Sequence, residues 1–164
     1  MKPFRRIASL IGLVLLAFAL LGVGMSAVNA QSSGVVSVYP INRDIGAAIT
    51  MTAQGAATVT SSDLSAAAAN RVVCVYNQTA HGGSPSSTFT IQGKDAASGA
   101  YYALLTSAAI TADTTPTPLH VGPGLTTTAN VSAGLVLPKT WRISLTVGGT
   151  GTPTVTGTIG CNLN

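Results

Sequence analysis

The stretch Trp141–Val147 alternates without a break: Trp141, Ile143, Leu145 and Val147 fall on one parity, Arg142, Ser144 and Thr146 on the other. Successive side chains of a β-strand point to opposite faces, so this pattern reads as a strand with one buried face and one wet face. Thr88–Gln92 repeats it, with Phe89 and Ile91 inward and Thr88, Thr90 and Gln92 outward. The turn Gly93–Gly99 follows. Asp95 can accept from backbone amides two or three residues on, and Gly99 can take positive φ. Tyr101–Leu105 then returns as the second arm of a hairpin.

The remaining segments fit the same class. Arg71–Asn77 is apolar on both parities, which predicts a central strand buried on both faces. Residues 45–60 read as a weak hairpin broken at Gly55. Leu119–Val121 is a short strand, Asn130–Lys139 mostly loop, and Thr154–Leu163 a last strand. His81–Pro85 and Gly148–Pro153 are loops by composition, and Pro116 and Pro118 argue against an interior strand. The one helical candidate is Ser61–Asn70, capped by Ser62 or Asp63. Thr and Val are abundant, and both favour pleated, half-buried surfaces. With seven to nine short strands and no crossover helix, the expected fold is all-β: an antiparallel β-sandwich, jelly-roll or Ig-like, over residues 45–164. An extended lead-in over 31–44 precedes it, and a signal helix precedes that.

Lys2, Arg5 and Arg6 followed by the apolar run Ile7–Val23 and the small-residue site Val28-Asn29-Ala30 form a Sec-type export signal. Cleavage is expected between Ala30 and Gln31, which makes residues 1–30 a signal peptide and the product secreted. The competing reading is a membrane anchor over residues 7–24, the chain's one expected contact with a membrane. Cleavage leaves 134 residues, one ordinary domain. Arg43, Arg71, Lys94, Lys139 and Arg142 then face Asp44, Asp63, Asp95 and Asp113, a net charge near +1 with no glutamate. The basic character of the whole chain therefore belongs largely to the signal, and no nucleic-acid partner is implied.

Cys74 and Cys161 each share parity with the apolar face of their strands. In an exported chain such a pair suggests a disulfide; two buried free thiols are the alternative. His81 and His120 have no second ligand at metal spacing. The four aspartates are scattered, whereas a glycosidase needs two carboxylates astride one bond. No serine stands in a nucleophile elbow, and Gly82-Gly83 and Gly148-Gly149 lack the lysine or helix of a phosphate loop. Asn77-Gln78-Thr79 and Asn130-Val131-Ser132 match the glycosylation sequon. These features predict a protein without enzymatic activity, cofactor or metal. Trp141 is expected in the core and one of Tyr101 and Tyr102 inward. The exposed tyrosine and the loops around His81 and Pro116 form a possible ligand surface, on which the chain would act as an extracellular carbohydrate-binding module.

From Arg71 onward the sequence resembles small structural proteins encoded among the virion genes of tailed bacteriophages and prophages. The resemblance lies in Phe89-Thr90-Ile91-Gln92-Gly93-Lys94-Asp95-Ala96-Ala97-Ser98-Gly99, in Tyr101-Tyr102 with Leu104-Leu105, and in Val121-Gly122-Pro123-Gly124-Leu125. It continues through Asn130 and Leu137-Pro138-Lys139-Thr140-Trp141-Arg142-Ile143. It covers a little over half of the chain and implies a β-sandwich structural module with no catalytic residues. The export signal and the cysteine pair depart from that group. The leading expectation is thus a secreted or virion-associated structural protein, in assembly or adhesion, whose partner is another copy of itself or a cell or virion surface.

Overall fold

Two long strands organise the chain. In the computed structural model, which describes residues 43–164 other than 67, 114 and 115, β4 (Val72–Lys94) and β8 (Thr140–Leu163) run antiparallel along their whole length. Val72 stands opposite Leu163 at one end and Gly93 opposite Trp141 at the other. Along β8 the buried apolar residues keep odd numbers throughout, from Trp141 to Leu163. Along β4 the buried positions change phase: Val72, Cys74, Tyr76 and Gln78 are even, while Pro85, Ser87, Phe89 and Ile91 are odd. A one-residue slip turns every side chain to the other face. The register shift between Gln78 and Ala80, two residues on β4 against one on β8, absorbs the change; the second shift, between Gly82 and Ser84, leaves the phase as it is. Both halves of β4 therefore present their apolar side chains to the same face of the ribbon.

The ribbon also doubles over. The rings of Tyr76 and Phe89 meet edge to face with centroids 5.9 Å apart. On a straight strand, their separation in sequence would place them about 43 Å apart. The sharp bend lies where Gly82–Ser86 pairs with Gly148–Thr154. Gly83 and Gly149 take φ of +64° and +122° there. A Cβ on either would run into the backbone of the opposite strand, Thr150–Thr152 for Gly83 and Ser84–Pro85 for Gly149, so only glycine fits. The two segments read from composition as loops, His81–Pro85 and Gly148–Pro153, are thus paired strand. Composition registered their backbone freedom but not their partners.

Shorter strands flank this ribbon. β1 (Arg43–Gly55) pairs the C-terminal half of β8; β2 (Ala57–Thr60) and β3 (Leu64–Ser65) pair its N-terminal half. β5 (Tyr101–Thr106) lies against the end of β4, and β6 (Thr117–Val121) against its beginning. β7 (Ser132–Ala133) pairs β6 in parallel. The result is an all-β protein with one mixed sheet of eight strands, not a purely antiparallel one. Residues 45–60 form no hairpin: β1 and β2 are successive edge strands along β8, and β1 begins at Arg43, inside the expected lead-in. Ser61–Asn70 is not helical among its described residues. Leu64 pairs with Trp141, and the Ala66 amide donates to the Lys139 carbonyl; these sheet contacts outweigh the weak propensity of four alanines. Pro118 does lie in β6, opposite Val75, but beyond the two residues that pair with β7, on an edge where no ladder donor is required. The signal, its Ala30–Gln31 cleavage site and the lead-in up to residue 42 lie outside the described residues.

A single core joins the strands, with Cys74, Phe89, Ile91, Leu119, Trp141, Ile143, Leu145, Val155 and Ile159 all fully buried. Trp141 Nε1 has no hydrogen-bond partner among the described residues, a cost of about 1–3 kcal/mol. Burying the rest of the ring, up to roughly 250 Å² at about 25 cal/mol/Å², outweighs it. Val73 and Val75, expected to be buried, are only half-buried, since their face of β4 looks outward. Cys74 and Cys161 stand opposite each other in the β4–β8 ladder, Cα atoms 4.1 Å apart, and form a disulfide. Free buried thiols are therefore overturned. The bond joins residues separated by 87 positions and is worth about 4–5 kcal/mol in the chain-entropy account. Replacing both cysteines with alanine should lower the unfolding free energy by about 3–5 kcal/mol, measured by urea denaturation of the oxidised parent and the double variant.

Candidate functional site

At the Gly93–Trp141 end of the ribbon, the outward side chains of three strands converge with one from the segment before β3. Gln92 and Lys94 leave β4, Arg142 leaves β8, Tyr101 begins β5, and Asp63 precedes β3. Lys94 Nζ lies 2.7 Å from Asp63 Oδ2, and the Tyr101 hydroxyl donates to Asp63 Oδ1. Arg142 Nε donates to Gln92 Oε1 at 2.8 Å. The Arg142 guanidinium lies 3.4 Å from the centre of the Tyr101 ring, with Lys94 Nζ at 5.3 Å, so cations occupy that ring. The Lys94 and Tyr101 hydrogen bonds hold the Asp63 carboxyl below the usual aspartate range, and the bond to Asp63 raises Lys94.

Beside this cluster the Asp95 turn closes the β4–β5 hairpin. Asp95 accepts from the Ser98 amide at 2.9 Å and from the Ser98 hydroxyl, which hold its pKa down. Gly99 has φ of +71°. The turn expected from the sequence is therefore present. It forms one lip of an open cleft of about 460 Å³ lined by Asp63, Lys94, Asp95, Pro138, Lys139 and Thr140, among others. Thus the fold brings together two of the scattered aspartates, with Lys94 paired to one of them.

A second group sits at the bend. Buried Gln78 accepts from the Tyr76 hydroxyl at 2.9 Å and from Ser87 Oγ at 3.4 Å, and its amide donates to Asp113 Oδ1 at 3.3 Å. His81 Nδ1 lies 2.9 Å from the same oxygen, which holds Asp113 below its usual pKa. Backbone bonds between Ser87 and Ile110 fasten the segment carrying Asp113 to β4. The Ser87 hydroxyl donates to Gln78 rather than to His81. The histidine–aspartate pair therefore ties a loop to the ribbon, and among the described residues it contacts no nucleophile.

The expected ligand surface is consequently divided. His81 belongs to the bend, Tyr101 and Tyr102 to the far end of the ribbon. Neither tyrosine enters the core: Tyr101 is half-buried under Arg142, and Tyr102 is 47 % exposed. Tyr102 leans toward Pro138, both rings reaching the point where a Cβ on Gly93 would stand. The sequence offered Asp63 only as a cap for a helix that does not form, and Arg142 only as an outward strand residue, not as members of a site. Alternation does place Gln92, Lys94 and Arg142 on outward positions, but Asp63 joins them only through β3.

One further surface is regular. Thr58, Thr146 and Thr88 stand in register across β2, β8 and β4; Thr60, Ser144, Thr90 and Thr106 form the next row, reaching β5. Hydroxyls bond across strands, Thr58 to Thr146 and Thr90 to Thr106, each at 3.0 Å. None of these seven positions is charged. Leu135 and Val136, 48 % and 64 % exposed, stand together on the loop before β8. The structure thus defines a disulfide-tied, all-β protein with an uncharged hydroxyl face and one mixed-charge cleft. No family model, curated protein or solved structure matches the chain.

A depressed carboxyl contributes stability above its unfolded-state pKa and loses it as pH falls through the folded value. Stability should therefore decline on acidification below the ordinary aspartate value of about 3.9, as Asp63, Asp95 and Asp113 are protonated. Carboxyl-carbon NMR titration should place all three below that value, and Lys94→Met should move Asp63 back upward while leaving Asp113 unchanged.

Proposed function

We propose that this chain is a non-enzymatic, exported structural protein that packs against copies of itself or against a cell or virion surface. The observation that carries this reading is the hydroxyl face: six registered Thr positions without a charge, Thr58, Thr60 and Thr146 exposed and Thr88, Thr90 and Thr106 half-buried around the buried Ser144, on strands tied to a covalently closed ribbon. Such a face presents little self-repulsion and no strong field to steer a charged ligand. The adjacent exposure of Leu135 and Val136 adds an apolar contact point. Export rests on Lys2, Arg5 and Arg6, the apolar run and the Val28-Asn29-Ala30 site, and a disulfide agrees with an oxidising destination.

The sandwich is the finer part of the same proposal. The Tyr76–Phe89 contact and the single core shared by both halves of the ribbon support two facing layers cut from one folded sheet. The likeness of Phe89–Gly99 and Leu137–Ile143 to phage structural modules supports a role in a particle or at a surface, and the export signal favours surface display.

Two measurements test this reading. Mass spectrometry of the protein secreted from a Sec-competent host should give a chain beginning at Gln31; a product that retains residues 1–30 overturns export with cleavage. Sedimentation velocity of that chain should show self-association, or cell- and particle-binding assays should show retention, either being diminished by Leu135→Glu with Val136→Glu. A chain that stays monomeric and binds neither overturns the structural role.

A further inference from the structure

Arg142 is held in place without being neutralised. It leaves β8 on the outward face, half-buried, in register with Gln92 on β4. Its Nε donates to Gln92 Oε1, and its guanidinium lies 3.4 Å from the centre of the Tyr101 ring. No carboxylate pairs with it: the ion pairs among the described residues are Lys94–Asp63 and His81–Asp113. Asp63 is taken by Lys94 and by the Tyr101 hydroxyl. The two terminal amino groups of Arg142 thus have no partner among the described residues, while Gln92 and Tyr101 fix the group that carries them. A guanidinium partly withdrawn from water and left unpaired costs free energy. One braced in this way has little freedom left to lose when it binds a planar acceptor.

A second group on the same face is also unmatched. Ser144, the next outward residue of β8, is only 8 % exposed, yet its hydroxyl makes no hydrogen bond among the described residues. Its cross-strand neighbours are Thr60 on β2 and Thr90 on β4. Thr90 bonds to Thr106, and Thr146, the outward residue after Ser144, bonds to Thr58. Serine lacks the methyl of the threonines around it, so the row dips at Ser144. Among the described residues only Trp141 Nε1 is both sealed from water and unpartnered, so the Ser144 oxygen still meets solvent at the floor of that dip. Buried polar groups are ordinarily paired. An open hydroxyl there, one row from an unpaired guanidinium, points to a ligand.

The charge balance selects its chemistry. Lys94 and Lys139 line the neighbouring cleft with Asp63 and Asp95 and cancel them. The rows beyond Arg142, Thr60–Ser144–Thr90–Thr106 and Thr58–Thr146–Thr88, carry no charge. One positive charge is left over, on Arg142. A polymer with a phosphate in every unit calls for a row of cations, which this face lacks. A guanidinium fork matches a carboxylate, and rows of hydroxyls match a ligand's own hydroxyls. A single charge steers little from a distance but anchors what is already in contact.

We propose that Arg142, with Ser144 and the threonine rows beyond it, binds the carboxylate of an acidic polysaccharide. The surface lies apart from the one expected around His81 and Pro116. A protein that never self-associates leaves the proposal standing, and self-association without saccharide binding overturns this proposal alone.

The test uses the disulfide-bonded protein secreted from a Sec-competent host. It is titrated with a hexasaccharide of alternating glucuronate and N-acetylglucosamine, with hexagalacturonate, with neutral cellohexaose, and with thymidine hexanucleotide as the phosphate arm. Backbone and arginine side-chain shifts in two-dimensional NMR report the site. At least one acidic saccharide should shift Arg142 Nε–H and the amides of Arg142–Thr146 at millimolar concentration, more strongly than cellohexaose or the hexanucleotide. Arg142→Met should weaken that binding about tenfold or more, the scale of one charge-assisted pair. Arg142→Lys, which keeps the charge and loses the fork, should restore only part of it. Ser144→Ala should weaken binding about fivefold, whereas Arg43→Met, which removes an equal charge at the start of β1, should leave it unchanged. A cooperative urea transition shows that each variant folds. Absence of shifts with both acidic saccharides, equal or stronger binding of cellohexaose or the hexanucleotide, or a loss no greater in Arg142→Met than in Arg43→Met would each overturn the proposal.

Discussion

The ladder between β4 and β8 is the constraint on which the other strands depend. Each of the remaining strands reaches the sheet through one of these two, save β7, which docks on β6. The ladder must reconcile two sequences of different phase, odd throughout on β8 and even then odd on β4. A perfectly regular ladder would send either Cys74 and Tyr76 or Phe89 and Ile91 to the outside. Irregular pairing at Gln78–Ser84 avoids this, and the same stretch carries the bend. Bulged strands bend and twist more than regular ones, so the slip and the fold-over share one local cause.

The bend in turn decides which groups meet. It brings Tyr76 to Phe89 and lets one core serve both halves. It places buried Gln78 beneath Asp113, and that polar chain holds the long β5–β6 connection over the corner. At the other end of the ribbon no bend is required. There the outward side chains simply line up by register, and the β4–β5 hairpin adds Tyr101 to them. Charge is concentrated at that end and at the bend, while the face between is hydroxyl.

Local signals that depend on neighbours in sequence were legible. The alternation of Trp141–Val147 and Thr88–Gln92, the Asp95 turn and its return strand, and the apolar parity of both cysteines all correspond to what the structure contains. Segments whose state depends on distant partners were not. The glycine-rich stretches His81–Pro85 and Gly148–Pro153 have loop composition, yet both belong to the β4–β8 ladder, Ser84 standing opposite Thr150 and Pro85 opposite Gly149. Ser61–Asn70 has alanines enough for a short helix, but β8 offers Leu64 and Ser65 a ladder and leaves no room for one. The cleft was hidden for the same reason: Asp63 is remote in sequence from Lys94 and Lys139, and only sheet register makes them neighbours.

The amino-acid sequence by itself determined the class of fold and the inward and outward face of each clear strand, because side-chain period and local composition need no partner to be expressed. Tertiary structure decided that β1 and β2 follow one strand instead of forming a hairpin, that the two cysteines stand opposite each other, and that Tyr101 is covered while Tyr102 is free. Those outcomes are set by register between strands far apart in the chain. Register is a property of pairs, fixed only when the apolar faces of both partners are buried together.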